Sequence, residues 1–471
     1  MTAIMNEREQ QAINGQQIAN SIAEPQQIQL VEEIIEVEPK IEAKELLIVQ
    51  QFTDGVLDPE TPFLGPLKDG GTIIAYVAPG GWGAMVTPTI KGSQEVTLPV
   101  AIEGAEVGDA IAVEIRSIEV TSEAAVGGVS ELHTDRFIRD PLLKVKCPGC
   151  GKLHPQTYLE IGSKELVRCA TCRTETAPMY ISNGYTATFH KRESVGLTVS
   201  KDAARKLSHQ PHKAMHLPDE SKQHPSVALN ANDLQGVLMR TRPFIGEIGT
   251  MPSMRMPASY NAKDAERKLL EAHNEFSMTV NDLSEHTTDG HLQVNTVREG
   301  AIILCPVKVK GAGLYLGDIR MMQGDAALAR QTASVAGIVQ LKVHLVKKLR
   351  LIGPVVLPNA EDLPYLAKPF TKDERKYGRD IAEEYGVRQI EETFPISVVG
   401  TGSDLNEAID AAVARTANLL ELPVAEVKNR ATVAGEISIA RLPGAVTLTA
   451  QFPKSVLKKA NLFKFVKQQY D

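Results

Sequence analysis

Residues 304–328, LCPVKVKGAGLYLGDIRMMQGDAAL, decide how the rest of the chain is read. The first half alternates apolar and polar side chains at period two and closes on Gly311, Gly313 and Gly317. This pattern predicts a strand, a tight turn and a second strand in a β-hairpin framework. The second half sets Asp318 and Asp325 on either side of Gln323 and Gly324. A carboxylate directly after a glycine sits where backbone and side chain can both approach a ligand. Two such groups on one turn can bind a metal or share a proton. Each alone can equally cap a turn or the helix that follows.

At 471 residues the chain is too long for one ordinary domain and long enough for two or three with sizeable cores. A hydrophobic content of 43% with 23% charged residues is that of a soluble globular protein. The net charge of -7 and a pI near 6.0 argue against nucleic acid as a principal partner. No apolar run reaches the length of a membrane span, and the N-terminus is acidic and Gln-rich where a signal would be basic and then apolar. The expectation is a cytoplasmic protein with no membrane partner. Five cysteines in so long a chain make no disulfide framework. Four of them fall into two C-x-x-C pairs, which in a reducing compartment points to metal.

Residues 1–45, rich in Gln, Glu and Ile, read as an N-terminal extension, either a loosely ordered arm or a helix packed on a neighbouring subunit. Residues 46–144 change to short β-type runs punctuated by glycine, GTIIAYVAPGGWGAM and then EVTLPVAIEGAEVGDAIAVEIRSIEV. Alternation over 96–102 and 110–118 describes antiparallel strands of a sandwich or barrel. Trp82, in the turn PGGWG, reads as a loop anchor. Within 145–185, Cys147, Cys150, Cys169 and Cys172 form C-P-G-C, an eighteen-residue gap and C-A-T-C. That is the spacing of a zinc ribbon, whose two knuckles give a tetrahedral thiolate site. Four thiolates leave no open position for catalysis, so the zinc is structural and its binding free energy becomes folding free energy.

Residues 186–340 form a central β domain carrying the opening motif. His209, His212, His216 and His224 lie at irregular spacing in a segment that reads as a solvated loop, although His212 and His216 would share one helix face. RPFIGEIGTMPS, residues 242–253, is a short apolar strand between turn signals, with Arg242 available to an anionic or carbonyl group. Residues 262–276 have a helical pattern. His286, Asp289 and His291, in EHTTDGHLQV, are compatible with a divalent metal, while Asp289 can also cap a turn. In the final part, 341–471, KVHLVKKLRL alternates like a strand. SDLNEAIDAAVARTANLLE reads as a helix capped by Ser403 or Asp404, residues 423–440 as a second helix and AVTLTAQFP as a last strand. The expected fold class is α+β and β-rich: an antiparallel sandwich or barrel-like core, an inserted zinc ribbon and an α/β C-terminal part.

Together these segments resemble the acetamidase/formamidase family. PVAIEGAEVGDAIAVEI, residues 99–115, looks like its "P-V-x-V-x-G-A-x-P-G-D" strand pair, and RPFIGEIGTMPS looks like its "G-x-I-G-x-A-P" segment. CPVKVKGAGLYLGDIRMMQGDAAL looks like its "P-V-x-V-x-G-A-x-x-x-x-G-D-x-H-x-x-Q-G-D-G-E" signature, and the C-terminal elements follow in the same order. The resemblance covers most of residues 70–460. It implies a homo-oligomer that hydrolyses the C–N bond of a small linear or cyclic amide, with zinc or another divalent ion in some members. It assigns catalysis to Asp318, Gln323 and Asp325, which match the motif's Asp, Gln and Asp. Asp289 matches an acidic residue that the family places ahead of its hairpin, and with His286 and His291 it would make a second metal site. Arg242 and Arg320 would contact substrate. Arg320 stands where the motif has His, and Ala326 and Ala327 stand where it has Gly and Glu. These departures keep two other readings open: a non-catalytic structural or assembly protein, and another reaction on the same fold.

Overall fold

Backbone pairing gathers the β-type runs from most of the chain into one mixed sheet of thirteen strands. The computed structural model describes residues 42–471 apart from 81–86, 88, 93, 133–145, 153–154, 161–165, 178, 191–192, 225–234, 262, 264–268, 271–275, 287–288, 330 and 443. The N-terminal extension up to residue 41, Trp82 and most of the expected 262–276 helix lie outside the described residues.

The longest strand, Leu64–Val77, pairs antiparallel with Gly337–Val346. From there the sheet continues antiparallel through Ala110–Val120, Ile302–Pro306, Val355–Leu357, Thr393–Thr401, Ala445–Pro453 and Gly435–Arg441. On the other side Val100–Ile102 adds in parallel, and Leu314–Arg320 and Phe244–Thr250 follow antiparallel. Strands from residues 46–144, 186–340 and 341–471 thus share one sheet, and Ala43–Asp471 is one compact unit.

The two strands of the opening stretch do not form the expected hairpin. Ile302–Pro306 pairs with Ala110–Val120 and Val355–Leu357, whereas Leu314–Arg320 pairs with Phe244–Thr250 and Val100–Ile102. Between them Gly311, Ala312 and Gly313 take three successive positive φ angles of 81°, 63° and 62°. The connection is an arch that carries the chain across the sheet, where a two-residue turn would return it alongside itself.

The central strands are buried on both faces. Ile111, Val113, Ile303 and Cys305 enter one hydrophobic cluster, while Ala110, Ala112, Ile302 and Leu304 enter the other. Burial on both sides converts the period-two pattern into a continuous apolar run, and Ile302–Pro306 is buried throughout. The second cluster is closed by the helix Leu405–Leu420, capped at Asp404, whose Oδ1 accepts from the Glu407 N–H. The second expected helix stops early: Val424–Ala434 is helical, and Gly435–Arg441 leaves it as a strand. Two helices, Lys454–Lys459 and Phe463–Tyr470, follow the strand Ala445–Pro453.

A four-stranded sheet stands apart, built from Ala124–Leu132, Met179–Phe189, Val195–Thr198 and Leu238–Arg240. The four-cysteine segment is inserted between its first two strands. The His-rich segment, expected as a loop, contains the helices Lys201–Ser208 and Pro211–Met215. Ser200 caps the first, accepting from the Ala203 N–H, and Pro211 starts the second. No helix among the described residues is long and apolar enough to cross a membrane.

Candidate functional site

The four cysteines converge. The hairpin of Thr157–Glu160 and Leu166–Cys169 carries one knuckle, in which the Arg173 N–H donates to the Cys169 carbonyl. In the other, the Gly151 N–H donates to the Cys147 carbonyl. All four sulfurs lie within 4.8 Å of one another, with Cys147 to Cys172 at 3.5 Å and Cys150 to Cys169 at 3.9 Å. These spacings bracket the edge of about 3.8 Å that a tetrahedron with metal–sulfur bonds of about 2.3 Å requires. Hydrogen bonds from Thr174 bring the Cys172 thiol down to about 6, while burial pushes Cys147 up to about 11. The donor set fits a thiophilic ion held for structure.

A second cluster lies at one edge of the main sheet, where three polar side chains interrupt apolar strands. Glu247 is the one carboxylate in Phe244–Thr250, a strand buried at every position. Burial pushes its carboxyl well above the usual range; Oε2 accepts from the Gln94 amide and Oε1 has no partner among the described residues. Asp318 and Arg320 project from the adjacent strand Leu314–Arg320 at positions two apart, hence on one face. Burial alone would raise Asp318, but the Arg320 guanidinium, at 2.8 Å from Oδ2, and His291 hold it below the ordinary value. Its Oδ1 accepts from the Ser334 hydroxyl at 2.9 Å. Two glycines make room for it: a Cβ on Gly80 would collide with its carboxylate, and one on Gly246 would stand 2.8 Å from Oδ2.

Arg441 closes the cluster, with Nε donating to the His291 carbonyl. Burial brings its guanidinium down to about 10. The His291 and Gln293 side chains meet at 2.7 Å. Segments 94–97 and 221–223 cover the site: the buried Glu95 accepts from the Ser221 hydroxyl and the Lys222 N–H, and the Gln223 amide donates to the Pro79 carbonyl.

The other residues expected from sequence are distributed as follows. The Gln323 amide is committed at both ends: Nε2 donates to the Gln293 and Ala440 carbonyls, and Oε1 accepts from Thr332. It braces the loop after Arg320. Asp325 is exposed, 3.4 Å from the Asn295 amide. Asp289 lies in a separate buried pair, 2.7 Å from Arg415, and accepts from the Thr401 hydroxyl. His286 meets the Ser253 hydroxyl at 2.9 Å. Among the described residues, the four cysteines are the one group of three or more potential ligands that converges, so His286, Asp289 and His291 form no common coordination point. Asp289 has its charge answered by a guanidinium instead.

Sequence reading missed Glu247, Gln94, Arg441 and Ser334. A usable signal existed for Glu247, a lone acid between Gly246 and Ile248 in an otherwise apolar strand.

Two clefts flank the loop after Arg320. One, of about 270 Å³, is bounded by Arg242, Asp325, Asp362 and Glu436. The other, of about 730 Å³, lies between that loop and the four-stranded sheet, reaching Tyr185, Arg240, Arg242 and Thr332. The Thr332 carbonyl accepts from Arg320 Nη1 at 3.3 Å, so the larger cleft backs onto the guanidinium that neutralises Asp318.

The family model described as "Acetamidase/Formamidase family" matches residues 83–459. No curated protein matches the chain. Among solved structures, it is similar to a recombinant predicted acetamidase/formamidase from the thermophile Thermoanaerobacter tengcongensis, with 16% identity and a TM-score of 0.49 over 89% of this chain and 99% of that one. An acetamidase from Yersinia enterocolitica is 15% identical with a TM-score of 0.49, covering 90% and 95% respectively. A gamma lactamase from Delftia acidovorans is 14% identical with a TM-score of 0.36, covering 86% and 90%.

Proposed function

The chain belongs to the acetamidase/formamidase family, and from that premise we propose that it hydrolyses the C–N bond of a small linear or cyclic amide. The carrying observation is the pair Glu247 and Asp318, two buried carboxyls on neighbouring strands, one pushed up by burial and the other held down by Arg320 against its burial. Amide hydrolysis needs a group that holds a proton for the departing nitrogen and a group that receives one from the attacking water. Glu247, neutral at rest, gives its proton to the nitrogen as the C–N bond breaks. Asp318, ionised at rest, takes the proton of the water that adds to the carbonyl carbon. Transfer of that proton from Asp318 to Glu247 restores the resting state once carboxylic acid and amine have left. Gln323 braces the loop after Arg320, and Asp325 and Arg242 line the smaller cleft beside that loop. No step is routed through His286, Asp289 and His291, which do not converge.

Zinc at the four cysteines would hold the ribbon and take no part in the reaction. The test is turnover of formamide, acetamide and a small lactam by the zinc-replete protein, followed as ammonia or ring-opened product. Glu247→Gln is expected to lower kcat by about 10²–10⁴-fold. No turnover across that panel, or a Glu247→Gln variant as active as wild type, would refute the reading. Failure on every amide would leave the structural or assembly role, which the commitment of Gln323 at both ends supports.

A further inference from the structure

The larger cleft carries a charge that its own surroundings leave unanswered. Three guanidiniums border it: Arg240, Arg242 and Arg298. Two of them are already paired. Arg242 Nη1 donates to Asp362 Oδ1 at 2.7 Å, and Arg298 Nε donates to Asp362 Oδ2 at 2.6 Å while its Nη2 meets Glu361. Arg240, exposed at the end of the strand Leu238–Arg240, pairs with no carboxylate among the described residues. The backbone at and just after it is fixed, because Arg240 pairs with Val195 in the sheet, the Thr241 N–H donates to the Ser194 carbonyl and the Arg242 N–H donates to the Met321 carbonyl. A cation is therefore held at a cleft in a protein whose net charge is -7.

The size of the cleft points the same way. Its volume of about 730 Å³ is that of a site for a molecule many times larger than formamide or acetamide. The unpaired guanidinium and the volume together favour a substrate longer than acetamide with a carboxylate at one end, recognised by the planar fork of Arg240. The same cleft is lined by Thr332, whose carbonyl holds Arg320, and through Arg320 the carboxyl of Asp318.

We infer that the preferred substrates are amides bearing a carboxylate, with the carboxylate bound by Arg240 in the cleft between the four-stranded sheet and the loop after Arg320. This rests on the amide-hydrolysing reading above and adds to it a substrate class. The test compares kcat/KM for succinamate with that for succinamide, its neutral counterpart of equal length, in the full chain with its zinc. Succinamate is expected to be preferred by about tenfold or more, mainly through KM, and the ratio should fall towards one in Arg240→Gln and recover in part in Arg240→Lys. Calorimetric titration with succinate supplies a readout that needs no turnover: salt-sensitive binding weakened about tenfold in Arg240→Gln supports the carboxylate site. Equal use of the two amides, or succinate binding unaltered in Arg240→Gln, would overturn the inference while leaving amide hydrolysis standing. Succinate binding at Arg240 with no amide turned over would sink the hydrolytic reading and leave the carboxylate site.

Discussion

Glu247 and Asp318 lie on neighbouring strands and differ in what faces them: Asp318 has a guanidinium at 2.8 Å, while Glu247 has an amide on one oxygen and no partner among the described residues on the other. A carboxyl whose folded pKa is raised above its ordinary value of 4.5 binds more protons folded than unfolded between those two values. Its contribution is complete below 4.5 and is lost as pH rises through the folded pKa. Asp318, lowered from 3.8, contributes above 3.8 and loses that contribution as pH falls through its folded value. Urea unfolding of wild type and Glu247→Gln from pH 4 to pH 8 should therefore show a flatter dependence in the variant, which gains on wild type as pH rises. Parallel curves would refute a raised carboxyl. Removing the partner of Asp318 acts differently, because it strands a buried charge. Arg320→Met is expected to destabilise by about 3–5 kcal/mol, with much of that recovered when Asp318→Asn is added, as read from urea midpoints. Asn suits the position because Asp318 has a φ of 51°, which short amide side chains tolerate.

At the scale of elements, the ribbon is the part most dependent on one interaction. Its hairpin has two short strands, Thr157–Glu160 and Leu166–Cys169, too little for independent stability, while Cys147 and Cys169 bury their sulfur side chains. Cys147→Ser should lose one equivalent of zinc by elemental analysis and open the hairpin to proteolysis. Four freely titrating thiols in zinc-free wild-type protein would contradict this. The strand Phe244–Thr250 shows how an element positions chemistry. Ile245 and Ile248 anchor it in the main apolar cluster, so Glu247 is held in a rigid buried setting and not on a loop.

Across the whole molecule, the sequence determined whatever depends on near neighbours in the chain. The knuckle spacing located the four-cysteine cluster, the Asp404 cap and helical period located Leu405–Leu420, and the motif located Asp318. Local hydrogen bonding and short-range geometry suffice for these, which is why they survive without knowledge of the fold. Pairing did not follow from the same signals. Strands that read as a hairpin were assigned partners elsewhere in the sheet, because burial on both faces makes any of several apolar strands an acceptable neighbour and the arch at 311–313 removes the turn that would have chosen one. The acid pair and Arg240 at the large cleft were likewise decided only by tertiary structure. Gln94, Glu247, Asp318 and Arg441 are scattered over nearly 350 positions, and whether a carboxyl is neutral or charged depends on the groups folding brings within a few ångströms.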